Sequence, residues 1–218
     1  MQRAAFFDMD NTLLRVDTGT SWTKFLFSRG ELSKTMVAKV LYWSALYKLA
    51  LLDMETVFVN LCKDLEGDSE REMIDKCDAW FRDHIAQHIT LASRVAIDRH
   101  RRAGDLVVLA TGSTIYAARP VAAGAGIEHV LASRLEVDPA TGKFTGRAGE
   151  LCFGKHKVAL AERWAKEHHV DLAASYFYSD SYNDLPMLSR VGTAIAINAD
   201  VRLARHAKRS GWAARSWH

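Results

Sequence analysis

The sequence has few of the residues that mark secreted, fibrous or disordered proteins. Its 218 residues include only three prolines and three cysteines. The cysteines, Cys62, Cys77 and Cys152, are odd in number and widely spaced, so no disulfide framework is expected. Hydrophobic residues make up 49% of the chain and charged residues 25%, which excludes disordered and collagen-like classes. A chain of this length and composition is expected to fold around a full hydrophobic core.

Long apolar segments and a strong charge imbalance are also missing. The chain reaches acidic residues by Asp8 without the apolar segment of a signal peptide, so we expect a cytoplasmic protein. The most apolar stretch, residues 36–52, is interrupted by Lys39 and Lys48 and falls short of the ~20 residues of a spanning helix, so we expect no membrane contact. The 29 basic and 26 acidic residues give a net charge of +3, too balanced for a general nucleic-acid-binding protein.

Four apolar runs predict the strands of a parallel sheet. They are residues 4–7, 106–110, 176–178 and 193–197, and each ends in polar residues. Continuous apolar runs are typical of strands buried on both faces, and helical patterns lie between them, at 91–102, 116–123, 157–167, 185–190 and 201–209. We therefore predict an α/β fold with a doubly wound parallel sheet, in which ligands bind beyond the carboxyl ends of the strands.

Residues 17–88 interrupt this alternation. They contain no convincing strand and predict helices at 21–29, 32–52, 54–65 and 69–85. We expect them to form an inserted all-helical cap domain over the strand ends, with residues 1–16 and 89–218 forming the catalytic core. Residues 135–146 add a hairpin signal, with a turn that contains Pro139 and Gly142.

Acidic residues follow two of the predicted strands. Asp8 and Asp10 are two positions apart, and Asp180 and Asp184 follow a second strand. Anions held close together repel, and a bound cation or a shared proton relieves the repulsion. The four carboxylates favour Mg²⁺, which prefers oxygen ligands. Asp184 could also cap the helix that begins near Pro186.

A second set of residues favours phosphate binding at the same edge. Thr111, Gly112 and Ser113 end another strand near a helix N-terminus, where a hydroxyl and main-chain N–H groups bind anions. Lys157, predicted to open a helix, would supply a fixed counter-charge, with Lys155 as its competitor.

Four segments in order, DMDNT, LVVLATGS, a lysine at the start of a helix and YSDSYND, resemble the motifs of the haloacid dehalogenase superfamily. The chain is similar to subfamily IB, which contains phosphoserine phosphatase and has a helical cap after the first motif. The segment from Gly154 to Val158 resembles the G-x-x-K-V sequence of that subfamily. The resemblance spans nearly the whole chain.

The resemblance implies a Mg²⁺-dependent phosphatase that acts through an aspartyl-phosphate intermediate. Asp8 would be the nucleophile, and Asp10 would protonate the leaving alcohol and then activate water. Thr111, with Gly112 and Ser113 beside it, would hold the phosphoryl group, and Lys157 would balance its charge.

The resemblance also implies a metal site. Asp180 would hold Mg²⁺ together with Asp8 and the main-chain carbonyl of Asp10, with Asp184 in support. Asn183 would orient the phosphoryl group or the neighbouring carboxylates.

The expected partner is a small phosphorylated metabolite. Asp17 lies where the phosphoserine phosphatases have an acid that binds the substrate ammonium group, but it could equally cap the first cap helix. The arginine that binds the substrate carboxylate in those enzymes has no match around residues 54–63. An amine-bearing phosphomonoester, of the phosphoserine or histidinol phosphate type, is expected.

Three other functions fit parts of the sequence. A phosphotransferase or mutase could use the same aspartyl-phosphate. A signalling receiver domain also clusters acids, a threonine and a lysine, but it is about half as long and lacks the helical insertion. The basic residues between Arg202 and Arg215 could bind nucleic acid, although solvated helix faces explain them more simply.

Overall fold

A parallel sheet of six strands forms the centre of the molecule. The computed structural model describes residues 2–32 and 54–217. The strands are β1 (Ala4–Phe7), β2 (Leu106–Thr114), β3 (His129–Ser133), β6 (Tyr176–Ser179), β7 (Thr193–Ile197) and β8 (Ala213–Arg215). They lie in the order β3-β2-β1-β6-β7-β8, and all neighbouring pairs are parallel. A separate antiparallel hairpin consists of β4 (Leu135–Asp138) and β5 (Lys143–Ala148).

Helices connect these strands and form the insertion. The described helices are α1 (Thr18–Ser28), α2 (Met54–Asp64), α3 (Glu70–Trp80), α4 (Leu91–Arg102), α5 (Ile115–Ala125), α6 (Gly154–Glu167), α7 (Leu185–Arg190) and α8 (Val201–Ser210). Short turns extend α3, at Phe81–Ile85 and Ala86–His88. The predicted α/β fold with a doubly wound parallel sheet is confirmed.

Several predicted boundaries were wrong. The sequence pattern missed β3 and β8 at the two edges of the sheet, so part of the basic C-terminal stretch is a strand and not a helix face. Helix α1 begins at Thr18 rather than at residue 21, and β2 continues through Thr114. The helix predicted at 32–52 and the apolar stretch 36–52 lie outside the described residues, apart from residue 32. In the part that is described, no helix is long and apolar enough to cross a membrane.

The hydrophobic core lies on both faces of the sheet, which explains the continuous apolar runs. All four residues of β1 are fully buried. Ala5 and Phe7 pack on one face, and Ala4 and Phe6 pack on the other. Because β1 lies between β2 and β6, its carboxyl end is held from both sides.

The loop between α2 and α3 joins the hairpin through main-chain hydrogen bonds. The amide of Gly67 donates to the carbonyl of Phe144 at 2.9 Å, and the amide of Phe144 donates to the carbonyl of Asp68 at 2.9 Å. The Tyr116 hydroxyl in α5 donates to the Glu70 carboxylate at 2.8 Å. These contacts attach the α2–α3 loop and the start of α3 to the hairpin and to α5. The division into cap and core at residues 17 and 88 stays a prediction.

Candidate active site

Asp8 is the first residue after the central strand. The strand order reverses at this point, because β2 lies on one side of β1 and β6 on the other. Loops diverge where the order reverses and leave a crevice in which ligands bind. The amide of Asp8 donates to the carbonyl of Tyr178 at 2.9 Å, and the residue is only 8% exposed. Asp8 is therefore fixed at the floor of this crevice.

A tight turn over Met9–Leu13 carries Asp10 away from the strand. Asn11 has a φ of 49°, in the left-handed region that asparagine tolerates better than most residues. The Asp10 carboxylate accepts a hydrogen bond from the amide of Thr18 at 2.6 Å. The second acid of the motif is thus held by the first residue of α1, and the turn, not strand alternation, sets its direction.

Lys157 connects two of the predicted acids. Its Nζ atom lies 2.9 Å from Oδ1 of Asp8 and 2.7 Å from Oδ1 of Asp184. The prediction that Lys157 opens its helix was wrong, because α6 begins at Gly154 and Lys157 lies one turn inside it. Lys157 is 2% exposed, whereas Lys155 is exposed to solvent, so Lys157 is the lysine of the site.

The local sequence allows Asp184 to cap the helix that follows it, but the structure shows no such cap. Its side chain makes no capping hydrogen bond. Instead, one oxygen contacts Lys157 and the other accepts from the Ser179 hydroxyl at 2.7 Å. Both oxygens of this buried carboxylate are engaged in holding Lys157 in place.

Asp180 lies at the carboxyl end of β6, across the crevice from the turn. The Asn11 side-chain amide donates to its Oδ2 at 3.3 Å. Burial, followed by the carboxylates of Asp8 and Asp10, raises the pKa of Asp180 to about 9. The two predicted acidic motifs therefore meet in one pocket.

The same cluster of buried carboxylates raises the pKa values of Asp8 and Asp10, the two acids of the first motif. Burial raises the pKa of Asp8 to about 6, against the opposing effect of Lys157. Burial, together with the carboxylates of Asp17 and Asp8, raises the pKa of Asp10 to about 7. Burial alone would lower the pKa of Lys157, but Asp184 and Asp8 together raise it well above its ordinary value. Among the described residues, the carboxylates of this pocket outnumber the lysines that contact them, because Lys157 alone pairs with Asp8 and Asp184.

Thr111 and its neighbours lie on β2, next to β1. Thr111 is buried, and its hydroxyl accepts from the amide of Ser113 at 3.2 Å. The carbonyl of Gly112 accepts from the Ser133 hydroxyl at 3.0 Å. The hydroxyls of Ser113 and Thr18 lie 3.4 Å apart. These contacts place the predicted phosphate-binding segment beside the start of α1, where Asp10 is also held.

The two remaining predicted residues lie at the edge of the pocket. Asp17 caps α1, because its carboxylate accepts from the amide of Thr20 at 2.7 Å. The capping role is thus confirmed, and Asp17 is also close enough to raise the pKa of Asp10. The main-chain amide of Asn183 donates a hydrogen bond to the Ser181 hydroxyl at 3.2 Å. Among the described residues, no hydrogen bond joins the Asn183 side chain to the acids.

Comparison with known proteins identifies the family of this chain. The family model of haloacid dehalogenase-like hydrolases matches residues 5–189. The chain belongs to this family. A haloacid dehalogenase-like hydrolase is an enzyme, and the relatives of this one are named as phosphatases and hydrolases, so it is a phosphoric monoester hydrolase.

Three similar proteins illustrate the relationship. A phosphoserine phosphatase from Mycobacterium tuberculosis is 36% identical over 98% of this chain and 70% of its own length. A histidinol-phosphatase from Neisseria meningitidis is 28% identical over 97% of both chains. A crystal structure of a protein of unknown function from Bordetella pertussis matches all of both chains, with 30% identity and a TM-score of 0.87.

The donor set of this haloacid dehalogenase-like hydrolase fits a magnesium ion. Asp184 is engaged with Lys157 and Ser179, and the Asp10 carboxylate is held by Thr18. Asp8 contacts Lys157 through Oδ1 and Asp180 contacts Asn11 through Oδ2, so each could contribute its other carboxylate oxygen. Within residues 2–32 and 54–217, no group of three or more acidic, histidine or cysteine side chains is placed to hold a metal ion. Mg²⁺ commonly uses one or two carboxylates, with water and phosphate completing its shell, so two carboxylates suffice.

The residues that hold the acids in place are not identified by the sequence pattern. Ser179 anchors Asp184, and Asn11 contacts Asp180. Asn198 and Asp200, which follow β7, contact the loops that carry these acids. The sequence does contain a signal for Asn198 and Asp200, because the apolar run 193–197 ends in polar residues as the other predicted strands do. No chemistry could be attached to them without the tertiary contacts.

Proposed function

We propose that this enzyme hydrolyses a small amine-bearing phosphomonoester in two steps, through an aspartyl-phosphate on Asp8 and with Mg²⁺ as cofactor. The contact of the buried Lys157 with both Asp8 and Asp184 is the observation that supports it most. A fixed ammonium group at this point keeps Asp8 ionised and positioned, and it also balances the charge of an incoming phosphoryl group.

In the first step, a carboxylate oxygen of Asp8 attacks phosphorus and the bond to the leaving oxygen breaks. Asp10 transfers its proton to that oxygen, which leaves as an alcohol. A pKa raised to about 7 suits this role, because a general acid and base acts best near the working pH. Thr111 and the main-chain N–H groups that follow it bind the phosphoryl oxygens.

In the second step, water gives a proton to Asp10 and attacks the phosphorus of the aspartyl-phosphate. The acyl-phosphate bond breaks, so phosphate leaves and the Asp8 carboxylate is restored. When bound by Asp8, Asp180 and the carbonyl of Asp10, Mg²⁺ supplies positive charge against the phosphoryl oxygens. Lys157 and Asp184 keep Asp8 aligned in both steps.

The substrate class is inferred from the acids at the edge of the pocket. Asp17 uses one carboxylate oxygen, Oδ1, to cap α1, and lies beside Asp10, where a leaving alcohol would carry its ammonium group. The sequence has no arginine between Arg29 and Arg71 to pair with a substrate carboxylate. The names of two relatives, a histidinol-phosphatase and a phosphoserine phosphatase, agree with an amine-bearing substrate. An amino-alcohol phosphate fits these features better than phosphoserine.

A panel of phosphomonoesters tests the proposal. Histidinol phosphate, phosphoethanolamine, phosphoserine and a sugar phosphate would be assayed by phosphate release, with Mg²⁺ and with EDTA. We expect hydrolysis with Mg²⁺, preference for the amino-alcohol phosphates and no turnover by Asp8→Asn. Asp171→Asn is the matched control, because Asp171 caps a short helix before β6 and should leave activity unchanged. Wild-type activity in Asp8→Asn would refute the nucleophile assignment.

A further inference from the structure

The loop that follows β7 contacts both acid-bearing loops of the site. This loop, Asn198-Ala199-Asp200, lies beyond the carboxyl end of β7, next to β6. Asn198 contacts the turn after β1, and Asp200 contacts the loop after β6. We call these three residues the 198–200 clamp. The two-step mechanism gives them no chemical role.

Asn198 reaches the turn that follows Asp8. Its side-chain amide donates to the carbonyl of Asn11 at 2.7 Å, and its Oδ1 accepts from the amide of Trp217 at 2.8 Å. Its own amide donates to the carbonyl of Arg215 at 2.9 Å. One side chain thus connects the C-terminal segment to the residue directly after Asp10.

The backbone of Asn198 is shaped for this contact. Its φ is 47°, in the left-handed region that few residues other than glycine adopt readily. Glycine would adopt the same backbone more easily, but it could not make either side-chain hydrogen bond. An asparagine at this position therefore combines the required backbone with both contacts.

Asp200 holds the second loop in a similar way. Its amide donates to the carbonyl of Asp180 at 2.8 Å, and its Oδ2 accepts from the amide of Tyr182 at 2.7 Å. Its Oδ1 accepts from the amides of Arg202 and Leu203 and so caps α8. Asp200, the N-cap of α8, therefore contacts the loop that carries Asp180 at two points.

We propose that the 198–200 clamp sets the spacing between the Asp8 turn and the Asp180 loop, with Asn198 and Asp200 as positioning residues that touch no reacting atom. The functional part of this inference rests on the proposed phosphatase mechanism. A misplacement of reacting groups by roughly 1 Å can lower the rate about 100-fold. A clamp on both loops would maintain their alignment from outside the pocket.

Two substitutions remove the side-chain contacts of the 198–200 clamp and keep the local backbone conformation or the helix cap. Asn198→Gly keeps the left-handed backbone and removes both side-chain hydrogen bonds. His169→Gly is its matched control, because His169 is an exposed non-glycine residue with a φ of 55° that lies before β6. Asp200→Asn keeps an oxygen to cap α8 but cannot accept from both Tyr182 and the helix amides. Asp171→Asn controls for loss of a capping carboxylate.

Three measurements are made on the full chain with Mg²⁺ present: kcat and KM on the best substrate of the panel, hydrogen exchange of the amides in residues 9–14, and thermal unfolding. We expect Asn198→Gly to lower kcat roughly 10- to 100-fold with a much smaller change in KM. Exchange should accelerate in residues 9–14 but not in the β2 and β3 amides. His169→Gly should change neither kcat nor this exchange.

Two results would overturn the inference. One is wild-type kcat and wild-type exchange in Asn198→Gly. The other is a loss of activity matched by faster exchange throughout the sheet and a lowered unfolding temperature, which would make Asn198 a general structural residue. If the wild-type enzyme hydrolyses none of the phosphomonoesters, the proposed function fails, and exchange in residues 9–14 still decides whether the clamp holds the turn.

Discussion

The Nζ atom of Lys157 lies 2.9 Å from Oδ1 of Asp8, although 149 residues separate the two in the chain. Both side chains are buried, at 3% and 11% exposure. A buried ion pair with poor geometry adds little to the stability of the fold. The loss of one partner, however, leaves a buried charge that water cannot solvate. The contact with Asp184 completes the arrangement and makes Lys157 the electrostatic centre of the site.

Replacing Lys157 by methionine should inactivate the enzyme and destabilise it. Asp8 and Asp184 would remain buried without a counter-charge, and breaking such a pair typically destabilises a protein by about 3–5 kcal/mol. The loss is measured by urea unfolding and by phosphate release. Lys155→Met, which removes an exposed lysine from the same helix, should behave as the wild type. Equal losses in both variants would contradict the role given to Lys157.

Asp10→Asn should slow the second step more than the first. An asparagine cannot take a proton from water, but a good leaving group such as p-nitrophenol needs little protonation. We expect a burst of p-nitrophenol from p-nitrophenyl phosphate, followed by slow turnover, in rapid-mixing experiments. The absence of a burst, with both steps slowed equally, would argue against Asp10 as the base.

Mg²⁺ should raise the unfolding temperature of the wild-type enzyme. A ligand that binds only the folded state stabilises it by mass action. The shift should be lost in Asp180→Asn and kept in Asp171→Asn, whose carboxylate lies outside the site. Differential scanning calorimetry with and without EDTA measures this without any substrate. An Asp180→Asn variant that responds to Mg²⁺ like the wild type would remove Asp180 from the metal site.

Asp17→Asn should separate the capping role of this residue from its charge. Asparagine caps helices about as well as aspartate, so stability should change little. If Asp17 binds an ammonium group, kcat/KM should fall roughly 10-fold or more on histidinol phosphate and stay near wild type on a neutral sugar phosphate, as expected for a charge-assisted hydrogen bond worth about 1.5–3 kcal/mol. A parallel fall on both substrates would leave Asp17 with the capping role alone.

His100 should make the stability of the core depend on pH. It is buried between Asp105, at 2.8 Å, and the Tyr178 hydroxyl, also at 2.8 Å. Burial lowers the pKa of His100 below its ordinary value of 6.5, and the nearby Arg99 and Arg3 also lower it, although Asp105 acts in the opposite direction. The unfolded chain therefore binds the proton first as the pH falls through 6.5.

As the pH falls from 6.5 to the lower pKa that His100 has in the folded state, the free energy of unfolding should therefore decrease. Urea unfolding of the wild type and of His100→Gln at a series of pH values isolates this contribution from that of other groups. Near pH 8, His100→Gln should be less stable than the wild type, because the variant lacks the hydrogen bonds that His100 makes. Below pH 6.5, the stability of the variant should depend less on pH than that of the wild type. Identical pH slopes would contradict the prediction.

The apolar pattern of the sequence is enough to predict the four inner strands of the sheet and the polar residues that follow them. Strands β1, β2, β6 and β7 are buried on both faces, so each reads as a continuous apolar run. Strands β3 and β8 lie at the edges of the sheet. Edge strands have fewer buried positions, and Ala-Ala-Arg in β8 has no β-branched or aromatic residue, so neither gives this signal.

The contacts of each polar residue at these strand ends depend on parts of the chain that are distant in sequence. The local sequence allows Asp184 to be a metal-site residue or a helix cap, but the Asp184 carboxylate is buried against Lys157 from another helix, and a buried carboxylate needs such a counter-charge. Asn198 meets Asn11 across 187 residues of chain. Periodicity and spacing report which residues are buried and which groups follow a strand, because both depend on neighbours in the chain. They carry no information about which side chains meet across the sheet, and these long-range contacts hold the acids in place.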